Sequence, residues 1–268
     1  MKIIKKNSKE SVPNREFLIS LAKGAGAVLM KDFNKKHQVE IKPGAGIVTE
    51  ADKASETYLL KNIFRRFPKS SIITEETGEY LGDSGLLWIL DPLDGTSNYA
   101  HGFPWFCVSI GLYLNGKPKA GVIYQPFTRE LYFAEKGKGA FLNGKRIQVS
   151  QTGKMAEALL GTGFYYSKGR SLKTEIDVFS EMNELSLAVR RPGSAALDLA
   201  CVASGRFDGF WERGLSSWDV AAGFLMVEEA GGTVTNYQGK KTSMFEKYCL
   251  ATNGRLHKRM QSIVSRIK

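Results

Sequence analysis

A chain of 268 residues that is 43% hydrophobic and 24% charged carries enough apolar material for a sizeable core. It has no apolar run approaching the ~18 residues that a membrane span requires. Cys107, Cys201 and Cys249 are odd in number and far apart, which excludes a disulfide framework or a metal knuckle and points to a reducing compartment. With no secretory h-region in the basic N-terminus, the expected location is the cytoplasm.

The net charge of +11 sits at the two ends. Residues 1–42 hold ten Lys/Arg against four Asp/Glu, and residues 240–268 hold eight against one, so residues 43–239 stand at −2. This reads first as a solvated basic face; nucleic acid is the lesser reading, since no interleaved aromatic pattern accompanies the charge.

In chain order, Leu18, Leu21, Ala22, Ala25, Val28 and Leu29 share one face of a helix expected from Arg15 to Phe33, after the Pro13-Asn14 start signal. A second helix is expected from Glu50 to Phe67. Ser71–Ile73 and Leu86–Leu90 are strand-like, and each runs directly into carboxylates. Asn115-Gly116 and Asn143-Gly144 are hairpin turns, with strands at Trp105–Leu114, Ala120–Tyr124 and Glu130–Ala134. The second half predicts a helix at Lys173–Leu187, one led by Ser194, a strand at Phe207–Trp211 and a helix at Asp219–Glu229 stopped by Gly231-Gly232. Strands at Thr233–Asn236 and Tyr248–Ala251 and a terminal helix from Leu256 complete it. No linker or repeat divides residues 1–268, so one domain is expected, with approximate halves at 1–150 and 151–268. Interleaved helices and strands with hairpins predict a layered α/β (α+β) sandwich.

Four acidic segments stand at element ends. Asp91-Pro92-Leu93-Asp94-Gly95-Thr96 would hold two carboxylates in a tight turn, with the Leu93 carbonyl between them, as an oxygen-seeking cation requires; an Asp-rich turn is the plainer reading. Glu75-Glu76 repel unless solvated or bridged by a cation. Asp52 follows Thr49 at capping spacing, and Asp219 opens a helix, so each has a sufficient structural reason. Spacing alone does not bring the four together.

Their order and wording nonetheless resemble the inositol monophosphatase family. Asp91-Pro92-Leu93-Asp94-Gly95-Thr96-Ser97-Asn98 is similar to its first signature, and Trp218-Asp219-Val220-Ala221-Ala222-Gly223 through Gly231-Gly232 to its second. Val48–Asp52, Thr74-Glu75-Glu76 and Arg191–Asp198 resemble shorter family segments. The resemblance implies alternating helix and sheet layers and a Mg²⁺-dependent, Li⁺-sensitive phosphatase with two to three ions. It assigns Glu75, Asp91, Leu93 (through its carbonyl), Asp94 and Asp219 to metal, and Asp52, Glu75 and Thr96 to catalysis. It assigns Gly95, Thr96, Ser194, Ala195 and Glu212 to the substrate. It also implies a homodimer and a small phosphorylated polyol or sugar as substrate. Ser97, where other branches carry Lys, is similar to the inositol-phosphate branch; a fructose 1,6-bisphosphatase or dual enzyme, and a regulatory or RNA-binding scaffold, are the alternatives.

Overall fold

The computed structural model describes residues 11–42, 46–164 and 170–267. Asn14 caps α1 (Arg15–Met30), its side chain accepting the Phe17 N–H at 3.0 Å. The helix ends before the Phe33 expected from its apolar spacing. Phe33 stays buried because the chain turns it onto Phe106, with ring centroids 4.7 Å apart. The paired strands β1 (Val39–Lys42) and β2 (Gly46–Thr49) lead into α2 (Glu50–Arg66), which Thr49 caps.

Next come β3 (Ser71–Thr74), β4 (Gly78–Tyr80), β5 (Leu86–Asp94), a short α3 (Thr96–Ala100), β6 (Cys107–Leu114), β7 (Lys117–Gln125), β8 (Glu130–Glu135), β9 (Gly139–Leu142) and β10 (Lys145–Ile147). They form one sheet in the order β10-β9-β8-β7-β6-β5-β3-β4. Both Asn-Gly turns take positive φ at each residue, at 50° and 77° for Asn115-Gly116 and 48° and 81° for Asn143-Gly144.

The later chain supplies β11 (Leu159–Thr162), α4 (Arg170–Leu185), β12 (Ala188–Arg190), α5 (Ala195–Ala203), β13 (Gly209–Arg213), α6 (Ser217–Glu229), β14 (Thr233–Thr235), β15 (Tyr248–Thr252) and α7 (His257–Val264). Its sheet runs β12-β11-β13-β15-β14, with β11 parallel to both neighbours. Neither β11 nor β12 is legible from sequence: β11 is a short, mostly buried run without alternation, and β12 is a three-residue edge strand too short to carry a pattern.

The layers follow from which face each element buries. α1 and α2 cover one face of the large sheet around Trp88, Leu59 and Ile63. α5 and α6 fill the space between the two sheets, and α4 and α7 cover the far side of the second. The result is a helix–sheet–helix–sheet–helix sandwich, as the alternating layers expected from sequence. Glycines on the large sheet set how closely α6 approaches. A Cβ at Gly111 would stand 2.7 Å from that of Ala221, and one at Gly121 would stand 2.9 Å from the Ala222 carbonyl oxygen. No described helix is long and apolar enough to cross a membrane.

Candidate active site

The site begins with a break in a ladder. β5 does not stop at Leu90 but pairs with β6 to Asp91–Ser109, slips, and resumes at Asp94–Cys107, so three steps of β5 face two of β6. Pro92, which has no N–H to give the ladder, sits in this bulge, and its carbonyl accepts the buried Ser55 hydroxyl at 2.8 Å. The bulge turns Asp91 and Asp94 toward one cleft. Gly95 follows at φ +92°, where a Cβ would also lie 2.8 Å from the Trp105 carbonyl oxygen.

Asp219 arrives from the other side, on the first turn of α6, where its Oδ2 accepts the Ser216 N–H at 2.6 Å. It opens the helix as expected from sequence, and the structure adds a capping box with Ser216, yet the same side chain reaches the two β5 carboxylates. One ligand oxygen each from Asp91, Asp94 and Asp219 lie within 4.8 Å of one another. Asp94 is held from the far half of the chain: its Oδ2 accepts the Ser194 hydroxyl at 2.6 Å and the Ala196 N–H at 2.7 Å, at the start of α5. Glu75, in the turn after β3, lines the same cleft and acts electrostatically on Asp91 and Asp219.

These acids raise one another's affinity for protons. Burial, then Glu75, Asp94 and Asp219, push Asp91 well above the carboxylate range. Burial lifts Asp94 to about 6, against the Ser194 and Ala196 hydrogen bonds that favour its charged form. Asp219 is only half-buried but moves the same way, through burial and Asp94. An oxygen-only donor set of converging, mutually repelling carboxylates matches a hard divalent cation, and Asp91, Asp94 and Asp219 can hold one.

Beside the triad, Asp52 carries two duties that sequence reading set against each other. Its Oδ2 accepts the Thr49 N–H at 2.8 Å and the Thr49 hydroxyl at 2.7 Å, tying down the start of α2. Its Oδ1 accepts the Thr96 hydroxyl at 2.9 Å, a bond Thr96 shares with the Leu93 carbonyl at 3.0 Å. Asp52 is fully buried, so the capping box and the link to Thr96 form one rigid unit.

Gly95, Thr96, Ser194, Ala195 and Glu212 all line the cleft, whose volume is about 310 Å³. Glu212, on β13, is raised to about 8 by burial and by Asp94, with Arg191 opposing. Its carboxylate lies against Gly163, where a Cβ would come within 2.2 Å of both oxygens. Arg191 and Lys247 stand on the rim. Gly163 and Lys247 gave no signal in sequence, since neither lies in a motif and a lone Gly or Lys is common. Asn98 was legible only as a letter of the first signature. In the structure its Nδ2 donates to the Trp105 carbonyl at 2.8 Å and the Pro192 carbonyl at 2.9 Å, fastening the Asp91–Ala100 segment to the Arg191–Ala195 loop.

Comparison with known proteins places this geometry. Residues 11–268 match the sequence profile of the Inositol monophosphatase family. An Inositol-1-monophosphatase of Synechocystis sp. is 44% identical over 244 residues, covering 90% of this chain and 85% of that protein. The Nus factor SuhB of Escherichia coli is 39% identical over 251 residues, covering 92% and 94%. The extragenic suppressor protein suhB of Bartonella henselae superposes with a TM-score of 0.90 at 38% identity, covering 94% and 98% of the two chains. The inositol monophosphatase of Anabaena (Nostoc) sp. does so with a TM-score of 0.82 at 44% identity, covering 94% and 95%. With a matching profile, close relatives and a shared layered fold, the chain belongs to the inositol monophosphatase family.

Proposed function

We propose that this chain is a Mg²⁺-dependent phosphomonoesterase acting on inositol 1-phosphate or a similar small polyol phosphate. The observation that carries the reading is the convergence of buried Asp91 and Asp94 with half-buried Asp219 beside a fixed Asp52–Thr96 pair. A phosphate monoester is dianionic at neutral pH and repels an anionic nucleophile. Two to three Mg²⁺ ions held by Glu75, Asp91, the Leu93 carbonyl, Asp94 and Asp219 would supply neutralising charge and a water acidic enough to ionise near neutrality.

The chain's own groups set the geometry. Asp52 accepts the Thr96 hydroxyl proton, which leaves a Thr96 lone pair to accept from the attacking water and orient it. Glu75, lining the cleft from the β3 turn, would act on the same water. The N–H groups of Gly95 and Thr96 would receive phosphate oxygens, and Ser194 and Ala195 bound the polyol. Glu212 would accept from adjacent hydroxyls, favouring a polyol over a simple alkyl phosphate.

Phosphate release from inositol 1-phosphate, with and without Mg²⁺, in wild type and Asp94→Asn, tests this. Turnover only with Mg²⁺, and nearly abolished in the variant, supports it; a folded wild type silent with every divalent cation overturns it. Fructose 1,6-bisphosphate, run beside it, settles the substrate. A second reading, nucleic-acid binding, is favoured by the basic segment 240–268 and by the name Nus factor carried by SuhB relatives. Steeply salt-dependent RNA binding without Mg²⁺ would support it.

A further inference from the structure

The buried face of α2 is apolar at Leu59 and Ile63 but polar along its N-terminal half, where buried polar groups require partners. Asp52, Ser55 and Glu56 are each no more than 2% exposed, and their i, i+3, i+4 spacing stacks them on one side of the helix. Each reaches a different segment of the site. Asp52 holds Thr96, and Ser55 holds the Pro92 carbonyl in the β5 bulge. Glu56 holds the turn that carries Glu75.

That last contact is threefold. β3 and β4 pair to Thr74–Gly78, so Glu75, Glu76 and Thr77 form the connecting turn. Glu56 Oε2 accepts the Thr74 hydroxyl at 2.7 Å and the Glu76 N–H at 3.0 Å, and Oε1 accepts the Thr77 hydroxyl at 2.5 Å. Tyr80 donates in turn to the Thr77 oxygen at 2.8 Å. The residues on both sides of Glu75 are therefore pinned from below by a single buried carboxylate, while Glu75 itself faces Asp91 across the cleft. A turn of three residues left to itself would sample several orientations, and a divalent cation with a demanding coordination geometry binds more weakly when a ligand must first be ordered.

We propose that Glu56 is a positioning residue for the cation site: it sets the direction of Glu75 through the Thr74–Thr77 turn, and so sets the affinity for Mg²⁺. The inference rests on the metal reading of the site above. It differs from a charge effect in what it requires: the three contacts depend on the reach of the Glu56 side chain, not on its charge alone.

The test is titration calorimetry of metal-free protein with Mg²⁺, alongside metal-free thermal unfolding, for wild type, Glu56→Asp, Glu56→Gln and Thr77→Val. Glu56→Asp keeps the charge but shortens the reach by one C–C bond, about 1.5 Å. Glu56→Gln keeps the reach, and its amide can donate to Thr77 where the carboxylate accepted. Positioning predicts a roughly tenfold rise in the Mg²⁺ Kd for Glu56→Asp and under threefold for Glu56→Gln, with the order unchanged in kcat measured against Mg²⁺ concentration. Thr77→Val, on the exposed side of the turn, leaves the fold intact and raises Kd about threefold, so the inference stays testable if Glu56→Asp does not fold. A larger loss in Glu56→Gln than in Glu56→Asp would show a charge effect and overturn the proposal. So would a fall in unfolding temperature with Kd unchanged, or Thr77→Val binding Mg²⁺ as wild type does. Wild type that binds no divalent cation would overturn the metal reading together with this one; normal wild-type binding with unaffected variants would overturn this one alone.

Discussion

Asp94→Asn offers the sharpest separation of function from stability. In the metal-free protein the Asp94 carboxyl sits at about 6 rather than its ordinary 3.8, chiefly through burial. Holding it ionised above both values costs the fold about 3 kcal/mol, at ~1.4 kcal/mol for each tenfold change in proton affinity. An Asn of the same shape can point its oxygen at the Ser194 hydroxyl and the Ala196 N–H, keeping both bonds in weaker, uncharged form at a loss of roughly 1–2 kcal/mol. Without metal at pH 7.5 the variant should therefore be more stable than wild type by about 1–2 kcal/mol, a rise in Tm of roughly 2–8 °C for a chain of this size. Mg²⁺ reverses the order. At a hundred times Kd it should stabilise wild type by about 2.7 kcal/mol, and the variant, short of one ligand, by much less. Differential scanning calorimetry with EDTA and with Mg²⁺ reads both effects. A variant that is less stable without metal and keeps the full Mg²⁺ shift would refute the reasoning.

Metal-free stability should fall as pH rises. Asp91, Asp94 and Glu212 all have carboxyls raised in the folded state, so their favourable contribution is complete below pH ~4 and is lost as pH climbs through about 6 for Asp94 and about 8 for Glu212. Urea unfolding in EDTA between pH 5 and pH 8.5 checks the sign, and stability rising across that range would contradict it. Gly95→Ala should cost roughly 1–3 kcal/mol and most of the turnover, because the residue is at φ +92° and its Cβ would meet the Trp105 carbonyl; denaturant melts and phosphate release measure both. Gly163→Ala should displace the Glu212 carboxylate, raising KM several-fold for a polyol phosphate and little for p-nitrophenyl phosphate. Asn98→Ala should loosen the tie between the Asp91–Ala100 segment and the Arg191–Ala195 loop, costing roughly 1–3 kcal/mol of stability by urea unfolding.

What the residues determine by themselves is local. The apolar stripe of α1, the cap at Thr49, the two Asn-Gly turns and the apolar core of β5 depend on neighbours a few positions away, so they were legible in order and nearly in extent. The acids at element ends were legible too, and family wording supplied their common purpose, which spacing could not. Tertiary structure decided the rest, because it rests on contacts between segments remote in sequence. The β5 bulge that aims Asp91 and Asp94 arises from mismatch with β6, and a strand read alone ends at its last apolar residue. Asp219 meets them only because α6 packs down on Gly111 and Gly121. The sharpest case is α2: Asp52 was legible as a cap, but nothing in the sequence marks Ser55 and Glu56 as buried, and only the packing of three segments over that side of the helix makes it the floor of the site. A polar side chain carries no mark of which partner will satisfy it; the fold chooses between water and protein.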